Sequence, residues 1–220
     1  MCQDEKTTVN LRIEGKDKTI FEDTVSTCGH RVTTHSGGTH HCNGTNNDKN
    51  PCAGPTCTTA LDDANKVAKF GFDGTFDEQY DDFLITSIND ENMTDTYYWA
   101  ICLNFVPLTV GGCQQKVKKD DQVLFAYTTQ TQGITTHFLK LSGPNHAIIN
   151  RPVVLTVTDG GTGAPVQNAT VDGHKTDAQG QVSIAFPRAG THKLKAEKES
   201  EPGATFIRSN QLIINVIVGP

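Results

Sequence analysis

No run of about 18 apolar residues occurs anywhere in the 220, so no helical membrane span is expected. Basic clusters are missing as well. The 19 Lys and Arg stand against 25 Asp and Glu, a formal charge of -6, and because phosphate backbones need a cationic face, nucleic acid is not expected as a partner. Met1-Cys2-Gln3-Asp4 has no apolar signal core. No nucleophile elbow, dinucleotide fingerprint, phosphate loop or Ser/His/Asp pattern is recognisable, which leaves catalysis without a motif to stand on. Hydrophobic residues make up only 35%, low for a globular chain but above the range of disorder. Cysteine is absent after position 113.

Against that last absence, seven cysteines fall between Cys2 and Cys113. This division fits an oxidised, exported domain followed by one that needs no cross-links. Three N-glycosylation acceptors, at Asn43, Asn92 and Asn168, point to the same compartment. The expectation is therefore a secreted or cell-surface protein, with a natural signal peptide removed and Met1 as an expression start.

The first half centres on Tyr97-Tyr98-Trp99-Ala100-Ile101-Cys102-Leu103-Asn104-Phe105, with the only tryptophan, followed by Val110-Gly111-Gly112-Cys113. Its aromatic and branched residues read as a buried strand. Before it, Val9, Leu11 and Ile13 alternate with polar residues, and Gly15 to Lys18 turns the chain into Thr19-Ile20-Phe21, a β-hairpin. Residues 26 to 57 carry Gly, Asn, His and four cysteines without periodicity, so a long disulfide-bound loop is expected. Thr59-Ala60-Leu61-Asp62 resembles a capping box, and the spacing of Ala60, Leu61, Ala64, Val67 and Ala68 predicts one helix that stops at Gly71. Strands follow at residues 83–88, 97–105 and 122–127.

The polar stretch 128–136 places a boundary, giving domains 1–132 and 133–220. The second contains short strands separated by turns such as Asp159-Gly160-Gly161-Thr162-Gly163 and Asp177-Ala178-Gln179-Gly180, at the spacing of a β-sandwich. The fold class is mainly β, with an α+β first domain of β-grasp type and an Ig-like β-sandwich behind it.

The hairpin, the Thr59 helix, the Tyr97-Tyr98-Trp99 strand, Gly111-Gly112-Cys113 and the charged turn before Val123-Leu124-Phe125 resemble the DUF4430 family, related to the transcobalamin C-terminal domain, over roughly residues 7 to 128. Gly163-Ala164-Pro165-Val166, Thr176-Asp177-Ala178-Gln179-Gly180 and Gly190-Thr191-His192-Lys193-Leu194 are similar to bacterial Ig-like and transthyretin-like surface modules. The resemblance implies a β-grasp domain joined to a surface sandwich. It implies no activity, because DUF4430 has no agreed one. Transcobalamin-type domains contact a corrinoid together with a large helical domain, and these 220 residues contain no such domain.

Four constellations could carry chemistry. His30, His35, His40, His41 and Cys42 are soft ligands within a short stretch, and His35, His40 and His41 are candidate Zn or Cu ligands; the competing reading is solvated loop histidines beside a disulfide. Cys52-Ala53-Gly54-Pro55-Thr56-Cys57 has four residues between its cysteines rather than two, which favours a structural loop over a redox site. The expected pairing is Cys28 with Cys42, Cys52 with Cys57 and Cys102 with Cys113, leaving Cys2 over. Acidic groups at Asp73, Asp77, Glu78, Asp81 and Asp82, and at Asp90, Glu91 and Asp95, are oxygen ligands of the kind Ca takes, or a solvated face. Tyr97, Tyr98, Trp99 and Tyr127 come from both faces of their strands, so some could form a ligand platform while others are core.

The function expected is a non-enzymatic surface binding or adhesion module for an extracellular glycan, small molecule or surface protein, with no cofactor. Two alternatives stay open. One is a secreted enzyme, hydrolytic or metal-dependent, with its site in loop 28–57; the other is a structural spacer.

Overall fold

The computed structural model describes residues 6–219, and among them the chain is mainly β with a single helix. Alternating apolar residues make β1 (Thr7–Glu14), which buries Val9, Leu11 and Ile13 on one face, and Gly15 to Lys18 turns it into β2 (Thr19–Thr27). A hairpin of β3 (His30–Thr34) and β4 (Gly38–Cys42) comes next, then helix α1 (Cys57–Ala68). Strands β5 (Phe72–Asp77), β6 (Asp82–Ile88) and β7 (Glu91–Asn92) form an antiparallel meander. After β8 (Tyr97–Leu103) and β9 (Val106–Pro107), β10 (Gln122–Thr129) completes a five-stranded sheet of order β2-β1-β10-β8-β9. Its central pair, β1 and β10, is parallel, with Leu11 opposite Val123 and Ile13 opposite Phe125.

The stretch 26–57 differs from the expected loop, since it contains the β3–β4 hairpin. Those strands bury only Val32, Thr34 and Cys42, so no apolar alternation marks them in the sequence. Helix α1 also starts earlier than expected. Thr56, in extended conformation, is the N-cap: its hydroxyl accepts from the Thr59 amide while the Thr59 hydroxyl accepts from the Thr56 amide. The helix ends at Lys69, in left-handed conformation at φ 58°, two residues before Gly71.

Leu61, Ala60 and Ala64 of α1 face the core, where the helix lies mainly against β1, β2 and β3. Trp99 belongs to the same core and is 5% exposed. Its indole Nε1–H donates to the Glu91 carbonyl of β7 at 2.9 Å.

Three expected disulfides are replaced. Cys42 bonds Cys113 across a separation of 71 residues, Cys52 is bonded but not to Cys57, and Cys28, Cys57 and Cys102 are free thiols. Cys2 lies outside the described residues. The geometry explains each change. Cys42 pairs across the hairpin with His30, which leaves Cys28 beyond the strand end, while the Gly44 amide donates to the Cys113 carbonyl and draws that residue alongside. Cys102 alternates with Ile101, whose Cδ1 borders the Gly112 turn, so its sulfur points away from Cys113. Cys57 opens α1 inside the core, and burial pushes both it and Cys102 up, the latter to about 12.

A second compact unit begins at Gln132 and ends at Pro220; the first is Met1–Thr131. In it, β11 (Thr135–Ser142), β12 (His146–Ile148), β13 (Pro152–Asp159), β14 (Thr170–Val171), β15 (His174–Lys175), β16 (Gln181–Ala185), β17 (Gly190–Leu194), β18 (Ala196–Glu197), β19 (Ala204–Ile207) and β20 (Leu212–Ile217) follow one another. They make sheets of order β16-β13-β11-β19, β12-β20-β17 and β15-β14-β18. Leu139, Leu141, Leu155, Val157, Ile184, Phe186 and Ile214 form this unit's own buried cluster.

Candidate functional site

The β3–β4 hairpin positions the histidines that the sequence singled out. His40 and His41 are consecutive in β4, so they point to opposite faces, His40 level with Val32 and His41 level with Arg31. His35 sits in the exposed turn between the strands. His35, His40 and His41 do not converge their ring nitrogens on one point, although His40 and His41 border the same depression.

His40 instead stacks on Phe76 of β5, with ring centroids 3.6 Å apart and planes within 6°, and Phe83 meets both rings edge-on. The stacked pair lines an open depression of about 500 Å³ together with Arg31, His41, Asn47, Glu78 and Asp81. Arg31 is oriented by its own hairpin: Nη2 donates to the Thr39 carbonyl at 2.8 Å and Nη1 lies 3.2 Å from His41 Nε2. On the acidic side, Asp81 accepts from the Asn47 amide at 2.7 Å, and the Asn47 side chain donates to the Glu78 carbonyl. A flat aromatic surface is thus bordered by a guanidinium, an imidazole, an amide and two carboxylates. Of its residues, the sequence pointed to His40 and His41 as ligands of a metal and to Glu78 and Asp81 as acidic groups. Arg31, Asn47 and Phe76 were missed, because Asn47 stands 16 positions after Arg31 and 29 before Phe76, and Arg31 lies on a hairpin that carried no visible pattern.

A second cluster joins the hairpin to α1. His30, at the start of β3, has Nε2 2.8 Å from Asp62 Oδ2 and 3.8 Å from Asp63 Oδ1, while its Nδ1 lies 2.9 Å from the Cys28 carbonyl. Lys66 reaches back along the helix to Asp62 at 2.7 Å and Asp63 at 2.8 Å. The Asp62 hydrogen bond raises the His30 pKa, against the opposing effect of burial. Burial alone would raise Asp62, but hydrogen bonds from His30 and Lys66 outweigh it and hold the carboxyl below its ordinary value. Lys66 is raised for the same reason, its two carboxylate partners overcoming desolvation. The Lys66 side chain is 55% exposed, so its helical pairs contribute only about 0.3–0.5 kcal/mol each. Among the described residues this is the one group of three or more His, Cys, Asp or Glu whose ligand atoms all lie within 4.8 Å of one another.

Of the acidic residues named as calcium ligands, Asp73, Asp77 and Asp82 make hydrogen bonds within the chain. Asp73 caps Ser36 and Gly74, and Asp77 caps Gln79. Asp82, 4% exposed, accepts from the amides of Phe83, Cys113 and Gln114 at 2.8–3.1 Å. Burial pushes its carboxyl up to about 6 in spite of those donors. The Gly111-Gly112 pair follows from this packing, since a Cβ on Gly111 would collide with the Asp82 carboxyl and one on Gly112 with the Thr58 hydroxyl.

Nor do the four aromatic candidates form one platform. Tyr97 and Tyr127 stack at 5.3 Å, the Lys16 ammonium lies 5.5 Å from the Tyr97 ring centroid, and Trp99 tilts against Tyr127 from the core. Tyr98 alternates onto the opposite face, level with Thr128. Of the glycosylation candidates, Asn43 is half-buried with its Oδ1 bound by Thr45, whereas Asn92 and Asn168 are exposed, the latter in a left-handed turn at φ 60°.

Comparisons with known proteins give a family-model match over part of the chain and a solved structure of low similarity. No curated protein matches the chain. Haptocorrin, in a crystal structure described as a complex with Cbi, is similar at 16% identity and a TM-score of 0.41; the match covers 60% of this chain and 27% of haptocorrin. The chain thus spans about a quarter of that protein's length. Residues 54–129, which hold α1, the Asp82 lock and the Trp99 strand, match the family model described as a domain of unknown function, DUF4430, as the sequence resemblance implies.

Proposed function

We propose that the protein is an exported, non-enzymatic binding module whose first unit contacts a glycan or similar polar small molecule through the depression at His40 and Phe76. The observation that carries this reading is the composition of that depression: a stacked aromatic pair surrounded by Arg31, His41, Asn47, Glu78 and Asp81 in an open space of about 500 Å³. Saccharides present apolar C–H faces and rings of hydroxyls, and such a ligand needs both a flat apolar surface and mixed donors and acceptors around it. The burial of Trp99 and the mutual stacking of Tyr97 and Tyr127 support reading the Trp99 strand as scaffold rather than contact surface.

The architecture is read as a β-grasp domain followed by an Ig-like sandwich. For the first, the support is the β2-β1-β10-β8-β9 order with a parallel central pair and one helix packed against the hairpin side; for the second, it is the two larger sheets around one apolar cluster. The Cys42–Cys113 bond, the bonded Cys52 and the exposed sequons Asn92 and Asn168 support export. An oligosaccharide array probed with the purified chain tests the site. Binding that falls about ten-fold or more in Arg31→Ala and His40→Ala, and is unchanged in Tyr98→Phe, is the expected result. Binding indifferent to Arg31 and His40, or none to any glycan on the array, overturns it.

A further inference from the structure

We infer that His30, Asp62 and Asp63 form a divalent-cation site in which the Lys66 ammonium stands in for the ion. The ammonium lies 2.7 Å from Asp62, 2.8 Å from Asp63 and 3.2 Å from His30 Nε2, so three ligand groups already converge on one positive charge. The imidazole is held in the orientation a metal requires. Nδ1–H donates to the Cys28 carbonyl and Nε2 faces the cluster, so a cation that displaces the Nε2 proton now shared with Asp62 would meet that nitrogen's lone pair, and metal-bound histidines are held by the same kind of anchor on their other nitrogen.

The ligands are better fixed than the cation. Asp62 and Asp63 project from the well-capped α1, and His30 is pinned at the start of β3; their side chains are 11%, 21% and 20% exposed. The Lys66 side chain is more than half exposed, which makes it the least enclosed member of the cluster. An ammonium neutralises one carboxylate, whereas a divalent ion neutralises both and gains the imidazole as a bond. One nitrogen and two carboxylate oxygens suit Zn²⁺, Mn²⁺ or Co²⁺ better than Ca²⁺, which prefers oxygen throughout, and three protein ligands leave positions for water or an incoming group. Since His30 and the two aspartates come from different elements, the ion would clamp the hairpin to the helix. This site is separate from the His40 depression and does not depend on the function proposed for it.

Cobalt(II) is a suitable probe, because its visible absorption reports ligand type and number. The wild-type chain should bind one Co²⁺ with a nitrogen and oxygen spectrum, and Lys66→Met, which removes the competing ammonium, should bind about ten-fold more tightly or better. His30→Gln and Asp63→Asn should each weaken binding by about ten-fold or more. Trp99 fluorescence checks that these variants are folded, and Asp63→Asn keeps the test decisive should His30→Gln loosen the hairpin. The paired substitution His40→Ala and His41→Ala should leave the spectrum unchanged. The inference is overturned by absence of stoichiometric binding to Lys66→Met, by binding that follows His40 and His41, or by a thiolate charge-transfer band from Cys28.

Discussion

In the first unit the chain is tied covalently across 71 residues by Cys42 and Cys113, whereas the second, without cysteine, holds its turns by side-chain hydrogen bonds. Thr176 accepts from the Ala169 amide and donates to the Val166 carbonyl; Asp159 gathers the amides of Gly161 and Thr162 and holds His137 at 2.8 Å; Asp177 receives Gln179 and Gln181. The difference follows from what each unit has to order. Residues 43–56 and 108–121 of the first unit contain no strand, and their loops need a covalent tie together with the buried Asp82 lock. The second unit has short turns between strands, where an Asx or Thr cap suffices.

Reduction sharpens that contrast most. Loop closure over 71 residues is worth roughly 4 kcal/mol, so Cys42→Ala with Cys113→Ala should destabilise the first unit by about 2–5 kcal/mol. Denaturant unfolding followed by Trp99, the single tryptophan, should shift by that amount, while amide exchange in β13 and β16 stays as in the wild type. A matching loss of protection in those strands would break the comparison.

Acidity tests the noncovalent lock. Asp82 has its folded pKa raised to about 6, above its unfolded value near 3.8, so the native state holds the extra proton and stability from this group is lost as pH rises between about 4 and 6. Asp82→Asn should remove about 1–3 kcal/mol of that dependence. His30, also raised, acts in the same direction at higher pH: its contribution is complete below 6.5 and is lost as pH climbs through its folded value. Unfolding curves from pH 4 to 8 for both proteins check the sign, and a wild type that gains stability from pH 4 to 6 through Asp82 would contradict it. The smallest effect belongs to the second unit. Thr176→Val leaves the Ala169 amide and Val166 carbonyl without their shared partner and should cost about 1–2 kcal/mol, read by amide exchange at Ala169 with Trp99 unfolding unchanged.

Much of the fold was legible because local chemistry wrote it. Val9, Leu11 and Ile13 alternate toward one core, Ala60, Leu61 and Ala64 repeat at helical spacing, and Asp177 with Gly180 marks its turn. The β3–β4 hairpin was not legible, since Arg31, Thr33, Thr39 and His41 face solvent and only Val32 presents a large apolar side chain inward. The disulfide pairing depended on which face of β8 Cys102 occupies relative to the Gly111 turn, a fact of register rather than of spacing. The candidate sites are assembled from residues far apart in sequence. His30 was visible among the histidines, but its partners stand 32 and 33 positions away on a helix, where Asp62 reads as part of a cap.

The parallel pairing of β1 with β10 has a kinetic consequence. The strand that flanks β1 in the middle of the sheet begins 112 positions after Asn10, its Gln122 partner, so the central ladder closes one of the longest loops in the unit. Contacts of that separation slow folding, since chain entropy must be surrendered before they form. During synthesis the β1–β2 hairpin and α1 would therefore emerge with one edge of β1 unpaired until residues 122–129 arrive. Until β10 pairs, that edge of β1 presents unpaired backbone groups to any other extended strand.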